Sequence, residues 1–121
     1  MKTILVIDDD EQMRVALRNL LEGSGYEVIN ASDGEEGLRL YHERPTDLII
    51  TDLIMPQKEG IETIRELRQD FPDVKIIAIS GGGRSDPEVF LSFAKIFGAH
   101  RTIAKPFKRE DLLNVIWDLL E

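Results

Sequence analysis

A few acidic, hydroxyl and cationic side chains in this sequence sit where short apolar runs stop. Asp8 and Asp9 follow Thr3-Ile4-Leu5-Val6-Ile7, and Asp52 follows Leu48-Ile49-Ile50-Thr51. Ser80 closes the run from Val74, and Lys105-Pro106 follows Thr102–Ala104. Carboxylates packed together repel and raise at least one pKa unless a cation sits between them. The acidic positions offer only hard oxygen ligands, and the chain has no cysteine. Such a donor set suits Mg²⁺, which takes one or two carboxylates together with waters and phosphate oxygens. A cation beside a carboxylate, with a lysine and a hydroxyl opposite, is what phosphoryl transfer requires. The metal and the lysine neutralise the equatorial oxygens, and an aspartate can attack in line.

For these residues to meet, the apolar runs must be strands of one sheet, ending at one edge. Residues 3–7 form a β-branched run, and the helical pattern after it carries Met13, Leu17, Leu20 and Leu21 on one face, ending at Gly23/Gly25. Tyr26–Ala31 reads as a strand, followed by a helix from Ser32, where Ser32 and Glu35 have capping-box spacing. Asp47–Asp52 reads as the third strand, Glu59–Asp70 as a helix with Ile61, Ile64 and Leu67 at helical spacing, and Val74–Ser80 as the fourth strand. Gly81-Gly82-Gly83 reads as a loop. Ser85-Asp86-Pro87-Glu88 then caps a helix bearing Phe90, Phe93 and Phe97. A short strand at Thr102–Ala104 and a helix at Arg109–Leu120 finish the chain.

Strands that are apolar throughout imply a sheet covered on both faces. Strict β–α alternation with right-handed crossovers gives a doubly wound parallel α/β sheet. Five strands predict the flavodoxin-like order 2-1-3-4-5, in which strands 1 and 3 are neighbours at the point where strand order reverses. Asp8, Asp9 and Asp52 then converge there. The turn Asp8-Asp9-Asp10-Glu11 offers carboxylates where a dinucleotide fold would present glycine amides, so FMN and NAD are poor candidates.

The 121 residues match one domain's worth of chain, and a net charge of −8 opposes binding to nucleic acid or anionic membranes. Apolar runs fall far short of the roughly 18 residues that span a bilayer. The expectation is a single soluble, cytoplasmic domain over residues 1–121.

Asp8-Asp9, Asp52-Leu53-Ile54-Met55-Pro56 with Gly60, Ser80 and Lys105-Pro106-Phe107 resemble the receiver domain of bacterial response regulators, in order and at the family's spacing. The resemblance implies that Asp52 accepts a phosphoryl group from a sensor histidine kinase or phosphotransfer protein. It implies that Asp8, Asp9, Asp52 and the Ile54 main-chain carbonyl hold Mg²⁺, that Ser80 hydrogen-bonds the phosphoryl group, and that Lys105 pairs with it. It also implies a cis Lys105-Pro106 peptide, against a base rate of only about 5% for X-Pro bonds. Ser80, Thr102, Lys105 and Pro106 become the switch, and the fourth helix, fifth strand and fifth helix the output surface. The downstream target is unspecified, and phosphorylation-linked dimerisation through the last two helices is left open.

Three positions depart from the commonest family pattern: Thr102 stands where an aromatic is usual, and Ile54 and Gly82 replace frequently polar residues. Thr102 keeps alive a degenerate receiver that only binds proteins. A small Mg²⁺-dependent phosphatase is the other alternative, weakened by Ile54 at the position where such enzymes keep a second acid. Asp8-Asp9-Asp10-Glu11 could also serve merely as first-turn acids that complement a helix dipole. Core packing is the expectation for Trp117, solvated surface for Val15, and no role is assigned to His42 or His100.

Overall fold

A computed structural model describes residues 1–53, 60–80, 95 and 98–121. Its strands are β1 (Thr3–Ile7), β2 (Glu27–Ala31), β3 (Leu48–Asp52), β4 (Ile76–Ser80) and β5 (Arg101–Ala104). The helices among the described residues are α1 (Glu11–Gly23), α2 (Gly34–Glu43), α3 (Gly60–Asp70) and α4 (Arg109–Leu120). The strands form one parallel sheet in the order β2-β1-β3-β4-β5, as the sequence pattern predicts. The glycine loop at 81–83, the helix expected from Ser85 to Phe97, and Ile54-Met55-Pro56 lie outside the described residues.

Every residue of β3 and β4 is buried, because helices cover both faces of the sheet. Successive side chains alternate between faces. Leu5, Ile7 and Ile49 pack with Tyr41 of α2 and with Ile64 and Leu67 of α3. Ile4, Val6 and Ile50 pack on the other side with Leu17 and Leu21 of α1 and Leu112, Ile116 and Leu120 of α4. Each fully buried Leu or Ile contributes roughly 1.5–3 kcal/mol of transfer free energy. That two-sided core holds the strand ends, and the polar residues just beyond them, in fixed register.

Local signals set the helix boundaries. Asp10 is the N-cap of α1; its carboxylate accepts from the Gln12 amide at 2.9 Å and the Met13 amide at 3.4 Å. Gly25, at φ +95°, takes the left-handed conformation that turns the chain from α1 into β2. The helix cap expected at Ser32 is displaced by one residue. Asp33 is the N-cap of α2, accepting from the Glu36 amide at 2.8 Å, while Glu36 Oε1 accepts from the Ser32 amide at 2.6 Å. The same four-residue spacing is met by Asp33 and Glu36, and this register puts Gly37 and Tyr41 on the buried face. A side chain at Gly37 would collide with Ile7, so glycine allows α2 to close onto β1.

Trp117 also departs from expectation. It is 62% exposed, because the buried stripe of α4 is Leu112, Ile116 and Leu120, and the residue after Ile116 lies about 100° round the helix.

Candidate functional site

The register of the sheet assembles the site. Ile7 pairs with Thr51 on β3, so Asp8, one residue on, adjoins Asp52. Asp52 pairs with Ile79 and Ser80 with Ala104, so Ser80 and Lys105 each fall one step beyond these pairs along the same carboxyl edge. Three backbone hydrogen bonds hold this edge: Asp8 N–H to Ala31 O at 3.1 Å, Leu53 N–H to Ile79 O at 3.0 Å, and Lys105 N–H to Ser80 O at 2.7 Å.

Asp8, Asp9 and Asp52 each place a carboxylate oxygen within 4.8 Å of the others. Lys105 Nζ lies 3.5 Å from Asp8 Oδ2 and 3.5 Å from Asp52 Oδ2. Asp8 and Asp52 are buried and Asp9 is exposed. Burial pushes the Asp8 carboxyl above its ordinary pKa; the Asp10 amide and Lys105 oppose the shift, and the charges of Asp52 and Asp9 add to it. Among the described residues, the one ammonium shared by Asp8 and Asp52 does not offset the charge of three carboxylates. An all-oxygen donor set with that remaining charge fits a hard divalent cation.

Ser80 is 1% exposed, and its Oγ has no hydrogen-bond partner among the described residues. A buried hydroxyl without a partner costs on the order of 1–3 kcal/mol, which an incoming oxygen ligand would recover. Lys105-Pro106 is cis, as the resemblance implies. Thr102 is half-buried in β5 opposite Ala78, within the strand rather than at the carboxyl edge. Ile54 lies outside the described residues.

The acidic run therefore divides between two jobs: Asp8 and Asp9 join the cluster, while Asp10 caps α1. Two supporting contacts have no signature in the sequence pattern. Arg14 Nη1 donates to the Asp8 carbonyl at 2.6 Å, and the Thr51 hydroxyl donates to the Asp52 carbonyl at 3.0 Å. Gly60 belongs to the quoted motif, yet only the fold reveals its task. A side chain there would run into the Asp52 carbonyl and Leu53 Cα, beneath the acidic cluster.

The fold and the site together are a doubly wound α/β sheet that carries an acidic cluster and a lysine at its carboxyl edge. The profile of the response regulator receiver domain matches residues 4–117. The chain is 35% identical over 120 residues to the transcriptional regulatory protein CpxR of Klebsiella pneumoniae, covering 99% of this chain and 50% of CpxR. It is 34% identical over 125 residues to the response regulator receiver protein CpdR of Brucella abortus, covering 99% of this chain and 98% of CpdR. A response regulator receiver domain protein from Clostridium thermocellum superimposes with a TM-score of 0.91 at 33% identity, covering 99% and 94% of the two chains. The chain spans about half the length of several curated relatives it matches, CpxR among them.

The chain belongs to the response regulator receiver domain family of two-component signal transduction. Aspartate phosphorylation is the hallmark of that family, whose members are signalling modules rather than classical enzymes, bind Mg²⁺ in an acidic pocket and accept phosphoryl groups from sensor kinases. Among the described residues, no helix is long and apolar enough to cross a membrane.

Proposed function

We propose that residues 1–121 form one receiver that takes a phosphoryl group on Asp52 from a sensor histidine kinase or phosphotransfer protein in the cytoplasm. The observation that carries this reading is the meeting of buried Asp8 and Asp52 at the Lys105 ammonium, on the same sheet edge as the Ser80 hydroxyl, which has no partner among the described residues.

An Asp52 carboxylate oxygen attacks phosphorus, the bond to the donor breaks with its electron pair leaving on the donor, and an acyl phosphate forms. Asp8, Asp9, Asp52 and the Ile54 carbonyl would hold Mg²⁺. Bound there, the ion supplies positive charge for the phosphoryl oxygens. Lys105 offsets the same charge from the other side, and the Ser80 hydroxyl donates to a phosphoryl oxygen. The chain's own residues catalyse uptake and hydrolysis of the group, with no separate substrate turned over.

The acyl phosphate carries about −1.5 to −2 charges at neutral pH in place of the single charge of the Asp52 carboxylate, and it sets them farther out, on three phosphoryl oxygens. Lys105 must then divide its attention between the new group and Asp8, and Ser80 is drawn toward the new oxygens. Because the Lys105 amide is bonded to the Ser80 carbonyl, the ends of β4 and β5 respond together. The output surface would be β5, α4 and the segment for which the sequence predicts the fourth helix, with Thr102 in place of an aromatic switch residue. The reading is tested by peptide mapping after incubation with acetyl phosphate and Mg²⁺. An adduct on the peptide carrying Asp52 supports it, and an adduct elsewhere overturns it.

A further inference from the structure

The opposite, amino-terminal edge of the sheet carries a cluster that phosphoryl chemistry does not use. Arg68, in the last turn of α3, reaches across to the segment that leads into β5. Its Nη2 donates to the Gly98 carbonyl at 2.7 Å and lies 3.3 Å from His100 Nδ1, while Nη1 donates to the Pro72 carbonyl. The Ile76 amide is also directed at His100 Nδ1, at 3.4 Å, and the His100 amide donates to the Ile76 carbonyl at 2.8 Å. A guanidinium and a backbone amide can only donate, so Nδ1 must be the unprotonated, accepting nitrogen of the ring. Gly98 sits at φ +132°, and a Cβ there would come within 2.9 Å of Arg68 Nε, so the segment is shaped to receive this arginine.

We propose that Arg68 and His100 form a proton-operated clasp on the segment Gly98–His100, closed while the imidazole is neutral and released when Nδ1 is protonated. A proton on Nδ1 removes the acceptor from both Arg68 and the Ile76 amide and puts a second cation beside the guanidinium. The surroundings act in the same sense. Partial desolvation of a ring that remains open to solvent, together with Arg68 of α3 and Lys75 of the segment before β4, holds the imidazole below its ordinary pKa. Lys75 is itself tied to α4 through the Leu119 carbonyl at 2.8 Å, and Arg101, the next residue along, faces Asp118 of α4 at 3.5 Å. The clasp anchors the start of the strand whose far end carries Lys105, so proton uptake loosens β5 from the edge remote from the acidic cluster.

The sign follows from linkage. The open segment binds the proton more tightly than the closed one, so opening is favoured as pH falls. Between the closed-state pKa of the ring and its free value of about 6.5, opening rises by up to about tenfold per pH unit.

The test is amide hydrogen exchange at Ile76 and His100 across this range, corrected for intrinsic exchange, with the ring titrated by NMR. In wild type the two amides lose protection as pH falls. In His100→Asn, where an amide oxygen replaces Nδ1 as a non-titrating acceptor, protection is independent of pH. Arg68→Gln raises the ring pKa, and Lys75→Gln raises it by less while leaving the clasp residues in place. The same pH dependence in wild type and His100→Asn would overturn the proposal, as would a ring pKa unmoved by both charge removals.

Discussion

The Lys105 ammonium and the Asp52 carboxylate, carried at the ends of strands that β4 separates, meet at 3.5 Å. Lys105 is equally close to Asp8, so a single flexible cation spans the two buried acids. A phosphoryl group on Asp52 would become a third claimant on that ammonium. This makes Lys105 the side chain best placed to convert new charge at β3 into movement at β5.

Lys105→Ala should therefore still take up phosphate, since the attacking carboxylate is untouched. It should fail to transmit the event. NMR shift changes on phosphorylation, which in wild type reach β5 and α4, should in the variant stay confined to the ends of β1 and β3. Wild-type propagation in the variant would remove Lys105 from the switch.

Asp8→Asn should raise stability in the presence of chelator. Burial lifts the Asp8 pKa, so the folded state binds this proton more tightly than the unfolded chain does. The stability contributed by that proton is complete below the free carboxyl value of about 3.9 and is lost as pH rises through the folded pKa. At neutral pH the variant, which keeps the shape without the charge, should melt a few degrees higher by calorimetry, and the gap should close toward acid pH. Mg²⁺ should raise the wild-type Tm by mass action and the variant's by less. A variant melting below wild type at neutral pH would contradict the account.

Gly60→Ala should destabilise by roughly 1–3 kcal/mol, since its Cβ meets rigid backbone at Asp52 and Leu53 rather than a flexible side chain. Gly23→Ala is the control. A Cβ there has nothing within 4 Å, and alanine in the last turn of α1 should be neutral or stabilising by up to about 1 kcal/mol. Equal urea midpoints for the two variants would show that Gly60 does not support the acidic loop.

The sheet order and the four strand ends that carry the site were legible because apolar runs stop abruptly at polar residues, and a parallel sheet converts those stops into one edge. Boundaries were less so. Ser32 and Asp33 both satisfy cap spacing, and only the packing of Gly37 and Tyr41 on β1 decides between them. Trp117 misled because hydrophobicity alone does not tell which side of α4 a residue takes; Ile116, its neighbour, fills the core instead. His42 and His100 read as lone residues because their partners come from other elements: Asp70 lies 3.4 Å from His42, and Arg68 3.3 Å from His100. Such pairings depend on tertiary geometry, which no local pattern encodes.

Intact-mass analysis of wild type and Asp52→Asn after incubation with acetyl phosphate and Mg²⁺, each with and without chelator, decides whether Asp52 is the phosphoryl acceptor. A single phosphoryl adduct is expected on wild type, lost with chelator and absent from the folded Asp52→Asn protein. An adduct of equal yield on Asp52→Asn, or none on folded wild type with Mg²⁺ bound, would contradict that assignment.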